Sequence, residues 1–198
     1  MRVTFTYQEA EDLRCWQRLV EAGEMFGKTF PKQIDITAQS KQRAQQTVQQ
    51  FQDWWDEAPE CDEGLKTIYG HQPPAEIMVY LNTSSYSMDD EQRGWISLSM
   101  MRDSQKKVRT TVIHELGHVL FRHYWSDFCF KLGCSQDDIE DLKEVVTVIH
   151  NGVFNNVEDQ GYHVHASLRA LALDTWNQTH TLERVVQEVV QHMKEQTN

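Results

Sequence analysis

Long apolar runs are missing from this chain: no stretch approaches the roughly 18 residues that a membrane-spanning helix needs, so no membrane segment is expected. Cysteine is scarce. Cys15, Cys61, Cys129 and Cys134 are too few and too scattered for the framework of a disulfide-stapled domain. Basic residues are outnumbered, 19 Lys and Arg against 30 Asp and Glu, for a net charge of −11. That balance argues against broad nucleic-acid binding, which needs a basic footprint. There is no internal repeat and no low-complexity linker. The N-terminus, Met1 to Tyr7, lacks the apolar stretch of a secretory signal, and a cytoplasmic protein with reduced thiols is expected.

What is present is an ordinary globular composition, 39% hydrophobic and 10% aromatic over 198 residues. That length suits one domain with a sizeable core. Alternation predicts strands at Arg2–Tyr7, Gln33–Thr37, Glu76–Leu81 and Trp95–Met100. Helical spacing predicts a helix over Glu9–Phe26, with Leu13, Trp16, Leu19, Val20 and Phe26 inward. A second, glutamine-rich helix is expected over Ala38–Glu57, burying Ala44, Val48, Phe51 and Trp55. Residues 58–74 hold three of the four prolines and read as a loop. A buried amphipathic helix is expected over 104–124, with Ser104 as N-cap, followed by a loop over 124–135. Helices over about 136–155, 156–176 and 181–195 complete an α+β arrangement. The single domain 1–198 thus divides into an α/β part (1–103), a motif helix (104–124) and a helical C-terminal part (136–198).

The motif helix carries His114-Glu115-Leu116-Gly117-His118, the pattern H-E-x-x-H. Residues four apart on a helix lie about 40° apart around the axis and roughly 6 Å along it, so both imidazoles reach one ion. Glu115 sits one position round, beside the metal, where a carboxylate serves as a general base. The helix around it repeats Val108, Val112, Ile113, Leu116, Val119 and Leu120 as an apolar stripe. Gly117 costs about 1 kcal/mol against Ala inside a helix, which makes sense if another group must come close.

A catalytic zinc usually has three protein ligands and an open position. His123, Glu158 and the pair His163/His165 compete for the third place. On a continuing helix His123 points about 140° away from His118. The metzincin pattern needs a glycine where Phe121 stands and a histidine where Tyr124 stands, so it fails. A second metal site from Cys129, Cys134 and His123 matches no standard zinc module.

Taken together, His114-Glu115-Leu116-Gly117-His118 and the downstream Asn155-Asn156-Val157-Glu158-Asp159 resemble gluzincin-type metallopeptidases, in particular bacterial and phage enzymes with H-E-x-x-H followed by N-x-x-E-D. The resemblance spans about residues 76–176. It implies a zincin-like fold, a small mixed sheet with an active-site helix and a C-terminal helical subdomain. It also implies Zn2+ held by His114, His118 and Glu158, with Asn155 or Asp159 orienting an imidazole. Tyr162 stands where thermolysin-like members carry an acid, which leaves the subfamily open. Tyr162 or His163 is expected to donate to a developing oxyanion. The expected substrate is a protein or peptide, added along strand 95–100 if that strand is a sheet edge; an interior strand is the other reading.

The activity so implied is zinc-dependent endopeptidase hydrolysis with Glu115 as general base. Peptide deformylase would need an E-G-C motif upstream, and Cys61-Asp62-Glu63-Gly64-Leu65 does not supply it. Proteases that cleave repressors after DNA damage share the H-E-L-G-H style of motif. The non-enzymatic alternative is a zinc-stabilised binding or regulatory protein of antirepressor type, with four ligands and no water. Glu115 speaks against it, because a closed structural site gives no reason for a carboxylate beside the first ligand.

Overall fold

The computed structural model describes residues 1–25, 28–58, 60–90, 95–155 and 157–197. The expectations made for Phe26 and Asn156 lie outside them. The chain divides into two compact units, Met1–Glu60 with Pro74–Leu116, and Cys61–Pro73 with Gly117–Asn198.

The first unit is built on a four-stranded mixed sheet. Its strands are β1 (Arg2–Thr6), β4 (Glu76–Asn82), β5 (Met88–Asp90) and β6 (Trp95–Ser99), in the order β1-β4-β6-β5. β1, β4 and β6 run parallel, and β5 pairs antiparallel with β6, placing Met88 opposite Ser97 and Asp90 opposite Trp95. Alternation along β1 buries Val3 and Phe5. All five residues of β6 are buried, as befits a strand flanked on both sides.

Two helices of this unit are tied to the sheet by specific polar contacts. In α1 (Glu9–Ala22), the buried Asp12 accepts from the Thr83 backbone N–H (2.9 Å) and hydroxyl (3.1 Å), just past β4. Burial pushes the Asp12 carboxyl above its ordinary range, against the pull of those donors. α2 (Ala38–Asp56) opens on a capping box between Thr37 and Ser40. It sends Gln52 to the outer edge of β1, where the amide donates to Val3 O and accepts from Phe5 N–H. A bridging amide of this kind blunts an edge strand against further pairing.

Several elements differ from the sequence reading. Residues 33–37 form no strand; a short hairpin, β2 (Glu24–Met25) with β3 (Lys28–Thr29), precedes them instead. The first helix stops at Ala22, where Gly23 takes a positive φ of 61°, and Leu13 is exposed. The supposed loop 58–74 contains α3 (Asp62–Tyr69), which buries Leu65, Ile68 and Tyr69.

Helix α4 (Gln105–Lys131) carries the motif and runs past the expected end at 124. Ser104 is its N-cap as predicted, with the Lys107 N–H directed at its hydroxyl. The predicted stripe, Val108 through Leu120, is buried. In the second unit the expected helix 136–155 is broken into α5 (Gln136–Val146), a 3₁₀ turn (Thr147–Ile149) and the single turn α6 (His150–Val153). The expected helix 156–176 gives way to an irregular segment over 157–162, a 3₁₀ turn (His163–His165) and α7 (Ala166–Thr179). α8 (Leu182–Thr197) buries Leu182, Val185, Val186, Val189 and Val190. Among the described residues no helix is long and apolar enough to cross a membrane.

Candidate metal centre

The continuous helix α4 does what the spacing requires. One ligand atom from each of His114, Glu115 and His118 lies within 4.8 Å of the others, the one such His/Cys/Asp/Glu group among the described residues. Glu115 and His118 are buried and His114 is half-buried. The negative charge of Glu115 also acts on Arg102, which lies just before the helix. Burial lowers the pKa of the Arg102 guanidinium, and the charges of Glu115 and Asp103 counter that loss.

A close neighbour of His118 comes from α5. Glu144 Oε2 lies 3.4 Å from His118 Nε2, and both side chains are almost wholly buried. An acidic side chain is rarely buried without a cation, metal or donor to face. Glu144 does not stand alone: its Oε1 lies 3.7 Å from Lys143 Nζ, itself buried. Lys143 Nζ is also 3.2 Å from Glu140 Oε2. Arg122 on α4 closes the series with a two-pronged contact to Glu140, 2.9 Å from Nε and 2.6 Å from Nη2. Burial of Glu140 raises its pKa, but the Arg122 hydrogen bond and the Lys143 and Arg122 charges outweigh that and hold it below the ordinary glutamate value. A ladder of alternating charge thus joins α4 to α5 and ends on His118.

Gly117 has a physical reason. A Cβ at that position would come within 2.5 Å of the Tyr69 hydroxyl and 2.6 Å of His150 Cε1. Those two fully buried side chains hydrogen-bond to each other at 2.9 Å. Burial, joined by the charge of Asp159, pushes the Tyr69 phenol well up, so it remains a neutral hydroxyl. The close approach expected of the glycine is therefore made by a tyrosine–histidine pair.

No protein-family description, no curated protein and no solved structure matches the chain. The site has to be read from its own chemistry.

The other expected site residues are placed as follows. Glu158 and Asn155 are exposed, in the segment after α6, and Glu158 is not a member of the His114–Glu115–His118 group. Asp159 pairs with Arg169 at 3.1 Å, both side chains nearly buried, and exchanges two hydrogen bonds with Asn151. Arg169 in turn donates to the backbone carbonyl of Glu144 (2.6 Å) and to the Thr147 hydroxyl (2.8 Å). Asp159 therefore acts on the backbone of Glu144 through an arginine. Tyr162 is half-buried, its ring edge-on to that of His165, and His163 is exposed. His165 Nε2 lies 3.0 Å from Asp141 Oδ1. His123 is exposed and packs edge-on against Tyr124. Cys129 and Cys134 are buried, and burial raises both thiols, Cys129 to about 12.

Glu144 is the residue that the sequence reading passed over. Its signal is the charged pair Lys143-Glu144 inside Leu142 to Ile149, a stretch otherwise apolar except for Thr147. On a helix burying Ile139, Leu142, Val145 and Val146, a carboxylate in that run needs a partner from another element.

Strand β6 lies between β4 and β5 and is paired on both sides, so it offers no open edge over its paired length. The outer strand on that side is β5, where Arg18 donates to Asp89 O at 3.0 Å.

Proposed function

We propose that the protein is a zinc-dependent peptidase of zincin type, with His114, His118 and Glu144 as the protein ligands and Glu115 as the general base. The observation that carries the reading is the buried Glu144 carboxylate set 3.4 Å from the second histidine of the motif. Two imidazoles and one carboxylate are the donor set of a catalytic zinc that keeps an open position. A zinc ion held there would supply Lewis-acid chemistry, acidifying a water and polarising a scissile carbonyl.

This chain's own residues account for the remaining work. Glu115, one position round from His114, takes the proton of the attacking water and returns it to the leaving nitrogen. Arg102 supports the site with a positive charge on the Glu115 side. Glu144 is held from behind by Lys143 and, through its backbone carbonyl, by Arg169. A regulatory protein with a closed zinc site would not need the Glu115 carboxylate beside the two histidines.

Cleavage of a defined mixture of unstructured peptides, followed by mass spectrometry, tests the reading. Zinc-loaded wild type is expected to give products. Glu115→Gln should retain its zinc yet lose at least about 100-fold in rate, the scale of general acid–base catalysis. Cleavage by Glu115→Gln at the wild-type rate would overturn the mechanism. Replacing Glu158 by Ala should leave zinc content unchanged, whereas Glu144→Ala should lower it; the reverse pattern would return the third position to Glu158.

A further inference from the structure

We infer that Lys143 is a positioning residue that fixes Glu144 as a one-oxygen ligand. The inference rests on the metal-site reading given above. The two carboxylate oxygens of Glu144 are turned in different directions: Oε2 toward His118 Nε2 (3.4 Å) and Oε1 toward Lys143 Nζ (3.7 Å). Both side chains are more than nine-tenths buried. A buried ammonium group is costly unless charges of the opposite sign stay close. Lys143 meets this need with two carboxylates, Glu144 and Glu140, and Glu140 is itself fastened by the planar guanidinium of Arg122.

The consequence lies in coordination geometry. A carboxylate free to rotate can offer both oxygens to a metal, filling the position that a catalytic site keeps open. With Oε1 engaged by an ammonium group, Oε2 alone faces the imidazole. Groups that orient a ligand in this way change metal affinity by about 10–100-fold when removed. Lys143 is adjacent in sequence to the residue it orients, so its backbone cannot move independently of Glu144, and the anchor that sets its direction is Glu140. The ladder Arg122–Glu140–Lys143–Glu144 therefore transmits the packing of α4 on α5 to one oxygen atom.

The test uses the full-length chain, stripped of metal and titrated with zinc against a chromophoric chelator, and in parallel with cobalt(II) alone. Lys143→Met is expected to bind zinc about 10–100-fold more weakly than wild type while the metal-free helical circular dichroism is unchanged. Its cobalt form should show weaker d–d absorption, as both Glu144 oxygens reach the ion and the coordination number rises. Lys143→Arg, which keeps the charge, should restore most of the affinity. Should Lys143→Met lose the wild-type circular dichroism, Lys143→Gln gives the same comparison at matched length. Wild-type zinc affinity together with a wild-type cobalt spectrum in a folded, uncharged variant would overturn the inference. Glu144→Gln distinguishes loss of the ligand from loss of its orientation. If it binds zinc as wild type does, the ligand reading itself fails. If it loses zinc while Lys143→Met keeps it, only the positioning role fails.

Discussion

Gly117 shows what single residues contribute to this site. Alanine is the better helix former by about 1 kcal/mol, yet here its methyl would enter space held by Tyr69 and His150, both fully buried. Overpacking of this kind typically costs about 1–3 kcal/mol. Gly117→Ala is accordingly expected to lower the urea midpoint of the metal-free protein. Tyr69→Phe, which removes the hydroxyl that makes the closest approach, should restore part of the loss in the double variant. A more stable Gly117→Ala protein would show that the pair does not press on the helix. At this scale the sequence was legible wherever geometry is local. The His114–His118 spacing fixes the group because both residues ride on one helix. The requirement for a glycine was legible too, but not the identity of the neighbours, which come from residues 69 and 150. Glu144 was hidden for the same reason: its partner His118 lies on a different helix.

At the scale of elements, the informative feature is the break after α5. Apolar periodicity over 136–155 reads as one helix, but the Glu144 carbonyl accepts from the Thr147 hydroxyl and from Arg169, and the chain tightens into a 3₁₀ turn over Thr147–Ile149. The arginine responsible is twenty-odd residues downstream, so no local propensity announces the break. Its charge is matched by Asp159, the acid of the N-x-x-E-D element, which thereby has a structural assignment. Removing one partner of a buried ion pair typically costs about 3–5 kcal/mol. Arg169→Met should therefore destabilise the protein by about 3 kcal/mol in urea unfolding, and should weaken zinc binding through the backbone of Glu144. A variant within about 0.5 kcal/mol of wild type, the range of an ordinary surface substitution, would show that the pair does not hold this segment. Helix α3 and strand β5 escaped sequence reading for related reasons. The first sits in the stretch holding three of the four prolines, and the second is three residues long and largely acidic. The parallel strands were readable because one buried face leaves an alternating apolar signal along β1 and β4, while β6 is buried on both faces.

For the whole molecule, the acidic balance and the buried charge ladder together set the response to pH. Glu140 has a folded pKa below its ordinary value of 4.5, so it takes up a proton more readily when unfolded. The stability it contributes is present above that ordinary value and is lost as pH falls through the depressed folded value. Wild type should therefore lose stability steeply below about pH 4.5, while Glu140→Gln, less stable at neutral pH, should show a flatter profile across the same window. Urea midpoints measured from pH 3 to pH 7 check this, and parallel profiles for the two proteins would remove Glu140 from the account. Fold class was legible from the order of elements, a mixed sheet first, then the motif helix, then helices alone. The division into Met1–Glu60 with Pro74–Leu116 and Cys61–Pro73 with Gly117–Asn198 was not, because α3 joins by contact a unit whose other residues begin at Gly117. The proposed activity depends on one zinc ion held by His114, His118 and Glu144. Metal content by elemental analysis, on zinc-replete wild type beside Glu144→Ala, decides whether it is there. One zinc per chain in wild type and much less in the variant is expected; a wild type without metal, or a variant that keeps its full zinc, would overturn the proposal.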